Sequence, residues 1–428
     1  MIVMGGIIGA GIFVNPSVVA RQVHTPMLVL GAWLIGGVIA LIGAFVYAEL
    51  AVLQPRVGGQ YAYLREAYHP IVAFLYGWTL LLVVQTGGMA GAAIIFGRYF
   101  RELSGLAIPE QAIAAVTLGL LTLINCLGIR SGSNVQSALM ITKLAAIALL
   151  IGVGWFVAGP AATDSPIAQV NSEGNALTGL AAAMVPVLFA YGGWQTATFV
   201  SGEMRNPRRD LPRGLFIGVA GVIILYLLVT YVCLRVLGVA GLANTTTPAS
   251  EVMRHALGTR GAKIIACGIA LSTVGFLSQS ILTAPRVYYA MARDGVFFKA
   301  VGRLNPRTRV PVIAIVLQGV WAAIVAMTGR YEQILNYVVT IDVLFFGLTG
   351  ASLLVFRARA RRDGTEQAQG DLVRVPWHPF TTWLFVLACW GVAISTLVRF
   401  PQNAGIGVAI LGLGALVYRF WAAPRSEM

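Results

Sequence analysis

Long apolar runs, each close to the length of a membrane crossing, constrain this chain more than any other feature. They cover residues 27–53, 71–95, 112–129, 139–158, 177–200 and 215–237, then 264–291, 312–327, 334–356, 380–397 and 406–421. A helix rises about 1.5 Å per residue, so about 20 residues cross the roughly 30 Å of hydrocarbon in a bilayer. With the opening segment these make about twelve spans. Only 11% of the residues are charged and 58% are hydrophobic, where a soluble domain carries about 25% charged residues. Backbone polar groups in lipid must be bonded within their own segment, and the ten-residue alternation of a barrel strand is missing. The chain therefore reads as an all-α integral membrane protein.

A net charge of +14 raises the possibility of nucleic acid, but the positions of the basic residues argue for topology instead. Taking alternate loops as one side, twenty loop and tail Lys and Arg residues fall there, among them Arg208, Arg209, Arg213, Arg357, Arg359 and Arg361, against eight on the other. The richer side is cytoplasmic by the positive-inside rule, so both termini are expected there. The basic excess then meets anionic lipid headgroups, and no nucleic-acid partner is expected. The stretch RARARRDGTEQAQGDLVRVPWHP reads as a cytoplasmic linker, and Thr247 with Pro248 is expected to open a short surface helix.

Catalytic chemistry has little support. Cys126, Cys233, Cys267 and Cys389 lie inside apolar runs without metal or redox spacing, and read as packing residues. His24, His69, His255 and His378 sit in loops, so neither a metal site nor a histidine-activated nucleophile is expected. The GxxxxGK[ST] loop is missing, so ATP drive within this chain is not expected. No cofactor is expected.

Two spans are built to break. The chain opens MIVMGGIIGAGIFVNP, with Gly5, Gly6, Gly9 and Gly11 clustered ahead of Pro16, and the sixth span contains FAYGGWQTATF with Gly192–Gly193 in mid-run. Glycine costs about 1 kcal/mol of helix propensity relative to alanine, so such clusters mark where a helix can be abandoned. Ten residues from Ile12 to Arg21 are about 15 Å of helix, which puts the first break near the midplane. Close packing is the alternative, since Gly5 and Gly9 stand at GxxxG spacing. Spans one and six are, however, equivalent in a five-plus-five inverted repeat, and such paired interruptions frame midplane sites in transporters. An interrupted helix exposes carbonyls on one half and amides on the other. A zwitterion whose ammonium and carboxylate share one carbon, an α-amino acid, is the simplest ligand that satisfies both.

The strings GIIGAGIF, FAYGGWQ followed by GEMRNPRRDLPRG, and RVYYAMARDG resemble motifs of the amino acid-polyamine-organocation superfamily, in particular its L-type amino acid transporter branch and bacterial serine/threonine exchanger-like relatives. The resemblance implies the leucine-transporter-like fold: two inverted five-helix repeats over residues 1–158 and 176–356, two peripheral helices over 380–421, and a linker over 357–379. It implies alternating access, with the substrate carboxylate at amides around Gly9, Ala10 and Gly11, and the ammonium at carbonyls of Ile7, Phe189 and Gly192. Trp194 would gate or wall the pocket beside Gln195. Many relatives carry Ser at the position of Ala10 and Asn at that of Gln195; loss of the hydroxyl leaves the backbone amides in place.

Lys143 is the one basic residue deep in a span. The resemblance gives it the role of a bound sodium ion, propping the broken first helix and implying sodium-independent transport; snorkelling to the interface and proton coupling are the alternatives. Glu49 is expected to pair with a nearby arginine in a structural or gating role. Glu203, Arg208, Arg209 and Asp210 read as an ion-pair set or a solvated loop, and Asp342 as a buried carboxylate or one facing a polar crevice.

The expected function is therefore sodium-independent secondary transport of neutral L-amino acids across a plasma (inner) membrane. A proton symporter of cationic amino acids or polyamines and a non-transporting sensor are the alternatives. No obligatory partner subunit is expected, because no external loop contains a cysteine. The half-helix before Gly9 is only about 12 Å long, so the natural start is expected to lie upstream.

Overall fold

The computed structural model describes residues 2–54, 58–128, 133–160, 176–199, 204, 206–308, 310–364 and 373–422. Among them the regular elements are all helical. Eight helical stretches are long and apolar enough to cross a membrane, and three apolar helices are shorter: Glu110–Cys126, Ala176–Tyr191 and Val312–Thr328. Leu34, Val116, Ile217, Ile264, Leu387 and Ile394 stand exposed along the bundle's outer surface. An apolar exterior of this kind is a surface for lipid.

The opening segment is helical over α1 (Ile2–Ile7), leaves the helix, and resumes through a 3-10 turn (Gly11–Phe13) into α2 (Asn15–Gln22). Next come α3 (Pro26–Leu53), α4 (Gln60–Ala67) and α5 (Pro70–Thr79), which runs through a π turn (Leu80–Val84) into α6 (Gln85–Ser104). Helices α7 (Glu110–Cys126) and α8 (Ser133–Phe156) complete the first half. The sixth apolar run is α9 (Ala176–Tyr191) and, after a second interruption, α10 (Thr196–Phe199). The rest of the chain forms α11 (Pro207–Asn244), α12 (Pro248–Thr283), α13 (Pro285–Arg293), α14 (Val312–Thr328), α15 (Tyr331–Arg362), α16 (Phe380–Arg399) and α17 (Pro401–Ala422).

Local chemistry explains several boundaries. Thr25 caps α3 by accepting from the Leu28 amide at 3.3 Å, with Pro26 at the position where a missing N–H costs nothing. Helix α12 begins at Pro248 as expected, and Gly258 at φ 66° divides its short first segment from the remainder. Helix α15 continues through Arg362, so the polar stretch expected to be a linker begins as helix; its centre, residues 365–372, lies outside the described residues, as does Glu203. The π turn has no local signature in LLLVV. Arg235 donates to the carbonyls of Gly154 at 2.7 Å and Trp155 at 2.8 Å, where the end of α8 favours a cation.

Helices already in lipid gain little from further apolar burial, so close fit and polar links hold them together. Helix α3 packs along α11 and α9, α7 along α14, and α15 along α16. Small residues permit the approach: a Cβ at Gly36 would strike Val187, and one at Gly319 would strike Thr122. Of the cysteines, Cys233 and Cys389 are buried as packing residues, whereas Cys267 is exposed on α12.

Candidate functional site

The two interruptions meet. Placed at Gly6, a Cβ would lie 2.8 Å from the Gly193 carbonyl oxygen, and one at Gly193 would strike the Gly6 carbonyl. Gly193 also has φ 100°, a conformation that side chains resist. Backbone therefore touches backbone where the two broken helices cross, which neither glycine string shows by itself.

A cavity with about 90 Å³ of free space opens beside this crossing. Ile7, Gly9, Ala10, Gly11, Phe189, Gly192 and Gln195 all line it. The sequence motifs therefore converge on one space. Helix α6 and the π turn add Gln85 and Val84, α12 adds Phe276 and Gln279, and α15 adds Val338 and Asp342. A π turn beside a site is a recurrent use of that irregularity. The polar outliers Gln85 and Asp342, each in an apolar run, were the available sequence signals for these walls.

Hydrogen bonding decides which backbone groups remain free. The Gly9 amide donates to the Ile7 carbonyl at 2.7 Å. The Tyr226 hydroxyl lies 3.0 Å from the same carbonyl and 3.2 Å from that of Ala190. Ile7 and Gly9, expected to meet substrate, are thus already engaged with the protein, because the chain turns back on itself at the end of α1. The amides of Ala10, Gly11 and Ile12 donate to no acceptor among the described residues. They sit at the start of the 3-10 turn, where the backbone dipoles favour an anion.

The second interruption has the opposite balance. Its Gly192 amide donates to Phe189 at 3.2 Å, and its Gly193 amide donates to Gln195 Oε1 at 2.8 Å. The Thr196 hydroxyl donates to the Gly193 carbonyl at 2.7 Å. The Gly192 carbonyl accepts from nothing among the described residues. Free amides and a free carbonyl thus line the same cavity from two different helices.

Lys143, which is 3% exposed, donates from Nζ to the Gly5 carbonyl at 3.4 Å and to that of Ile8. It stands behind α1 and not on the cavity wall. Trp194 is also off the wall: its ring packs edge-on to Tyr47 at 4.6 Å and against Phe346 at 5.3 Å. The chain leaves α9 in a turn that sends Gln195 toward the cavity and Trp194 into the packing layer. The pocket-wall role expected for Trp194 therefore falls to other residues.

At the α2 end, Asn15 Nδ2 donates to the Pro186 carbonyl at 2.7 Å, and the Tyr331 hydroxyl donates to Asn15 Oδ1 at 2.8 Å. Tyr331 meets Phe189 edge-on at 6.3 Å, while Tyr99 donates to the Phe13 carbonyl at 2.8 Å. These contacts join α2, α6, α9 and α15 over one end of the cavity. At the opposite end Glu49 receives both arms of Arg357, at 2.7 and 2.8 Å, and the Val375 amide at 2.7 Å. The arginine expected for Glu49 thus comes from α15, a fork geometry that gives direction as well as attraction. Arg208, Arg209 and Asp210 are exposed in the first turn of α11 and form no ion pair among the described residues.

Multi-pass helices interrupted around an internal cavity are the architecture of membrane permeases. The chain belongs to the amino acid permease family, whose description matches residues 1–416. It is 29% identical over 424 residues to the serine/threonine exchanger SteT of Bacillus subtilis (strain 168), covering 97% of this chain and 94% of that protein. It is 30% identical to the large neutral amino acids transporter small subunit 2 of Rattus norvegicus, over 97% of this chain and 78% of that one. The b(0,+)-type amino acid transporter 1 of Oryctolagus cuniculus is 30% identical over 83% of this chain and 74% of its own length. By name these relatives are transporters and an exchanger, not enzymes.

Proposed function

We propose that the chain exchanges L-amino acids across the membrane by alternating access, with neutral amino acids among its cargo and without sodium. The observation that carries this reading is the pairing of free amides at Ala10, Gly11 and Ile12 with the free Gly192 carbonyl on one cavity. An α-carboxylate fits the amides and an α-ammonium fits the carbonyl. Lys143 occupies the back of the first interruption, where its ammonium supplies the positive charge that a sodium ion would otherwise bring. The names of the relatives, an exchanger of serine and threonine and a transporter of large neutral amino acids, favour exchange and neutral cargo.

The accompanying topology has twelve crossings: two inverted five-helix repeats over residues 1–158 and 176–356, with a peripheral pair over 380–421. Interruptions in the first and sixth apolar runs support the repeat. Both termini face the cytoplasm of a plasma (inner) membrane, a reading that rests on the arginine asymmetry. The chain acts without a cofactor and without an obligatory partner subunit.

Purified protein in liposomes preloaded with a neutral amino acid should take up labelled amino acid only in exchange, at the same rate in sodium and in choline medium. Tight binding without flux would make the protein a sensor. Strict dependence on sodium would remove Lys143 from its assigned role.

A further inference from the structure

Asp342 is the only formally charged side chain on the cavity wall among the described residues. It sits on α15 one turn beyond Val338, which lines the same space, and i, i+4 positions share a helix face. The residue is half-buried, and it has neither a hydrogen bond nor an ion pair among the described residues. The groups within electrostatic reach are Tyr47, Tyr76 and Cys389, none of which is a cation. Lys143 is turned away to the carbonyls of Gly5 and Ile8. Glu49, a buried carboxylate, presents the opposite case, with Arg357 and a backbone amide satisfying it.

An isolated carboxylate is expensive to bury unless a proton or a cation neutralises it. A neutral amino acid does not, because its two charged groups are taken by the amides of the first interruption and the carbonyl of the second. A substrate with a further positive charge at the end of its side chain does. We propose that Asp342 is a specificity-determining residue that pairs with the cationic side chain of a basic amino acid, so that this cavity takes basic amino acids in preference to neutral ones of equal length. The inference rests on the amino-acid reading of the cradle and adds basic amino acids to its cargo. Polyamines do not fit as well, since they leave the amides of Ala10, Gly11 and Ile12 without an anion.

Three probes separate the two ideas in the full-length protein in liposomes or detergent. Lysine carries every group; norleucine is lysine without the side-chain ammonium; cadaverine is lysine without the carboxylate. Competition against a labelled amino acid should rank lysine about ten-fold or more ahead of norleucine, as expected for a desolvated charge pair. Cadaverine should compete about ten-fold or more worse than lysine. In Asp342→Asn the advantage of lysine over norleucine should vanish.

Norleucine binding as well as lysine in the wild type, or an unchanged lysine advantage in Asp342→Asn, overturns the role of Asp342. Cadaverine competing as well as lysine instead overturns the amino-acid cradle and leaves the Asp342 pairing standing. If Asp342→Asn does not fold, Asp342→Glu decides: its longer carboxylate should shift preference from lysine to ornithine, one methylene shorter, and an unchanged ranking overturns the proposal.

Discussion

The two interruptions are built from the same residue type and do opposite work. In the first, the protein occupies carbonyls: Lys143 takes those of Gly5 and Ile8, Tyr226 and the Gly9 amide take that of Ile7, and the amides of Ala10 to Ile12 are left over. In the second, the protein occupies amides: Phe189 accepts from Gly192 and the Gln195 side chain accepts from Gly193, leaving the Gly192 carbonyl. A broken helix by itself offers both signs of dipole. Selective satisfaction of one sign at each break gives two nonspecific polar gaps a direction, the direction that the proposed zwitterion site requires. Lys143 and Gln195 are therefore as much a part of the site as the glycines, although Lys143 is not on its wall.

The contrast is broken most completely at the crossing point. Gly193→Ala adds a Cβ that meets the Gly6 carbonyl and forces a side chain into φ 100°; the cost should be about 3 kcal/mol from strain and overpacking together. Thermal unfolding in detergent should show it, along with loss of amino-acid binding, and a wild-type melting temperature would mean that the helices do not touch there. Gly11→Val comes next, because its Cβ would approach Ala190 within 3.4 Å and its branches would fill the anion end of the cavity. Binding should be lost with the fold retained; unchanged affinity would remove the first interruption from the site.

Removing the satisfying groups should sharpen the comparison with smaller effects. Lys143→Ala leaves the carbonyls of Gly5 and Ile8 unpaired and frees α1, so exchange should fall about ten-fold or more, unequally from the two sides. Equal wild-type flux from both sides would count against the prop. Tyr226→Phe should cost about 1 kcal/mol of stability, the ordinary worth of a neutral hydrogen bond; denaturant midpoints would measure it. Trp194→Phe should move least: a modest loss of stability and an unchanged amino-acid competition profile, since the ring packs on Tyr47 and Phe346 away from the cavity. A changed profile would return it to the pocket.

Much of the fold was legible because its signals are local. Every apolar run anticipated in the chain falls on a helix where the structure describes it, and both glycine clusters interrupt theirs. Most of the anticipated lining residues share one cavity. Engagement of the Ile7 carbonyl was not legible, because Tyr226 arrives from 219 positions along the chain. Nor was the Arg357 fork on Glu49, 308 positions away, or the π turn that places Gln85. Packing of the Trp194 ring on Tyr47 and Phe346 was not legible either, because two residues after a glycine turn can point to opposite sides, and the motif does not encode which.

The sequence by itself determined the solvent, the helices and the positions of both breaks, since hydrocarbon length and glycine propensity act over one or two turns of chain. Only the tertiary structure decided which dipoles stay free and which charge faces the cavity. Those outcomes depend on partners such as Lys143, Tyr226 and Gln195 reaching particular backbone atoms, and on Asp342 reaching none. A buried polar group is valued by its neighbours, and neighbours across a bundle are set by packing.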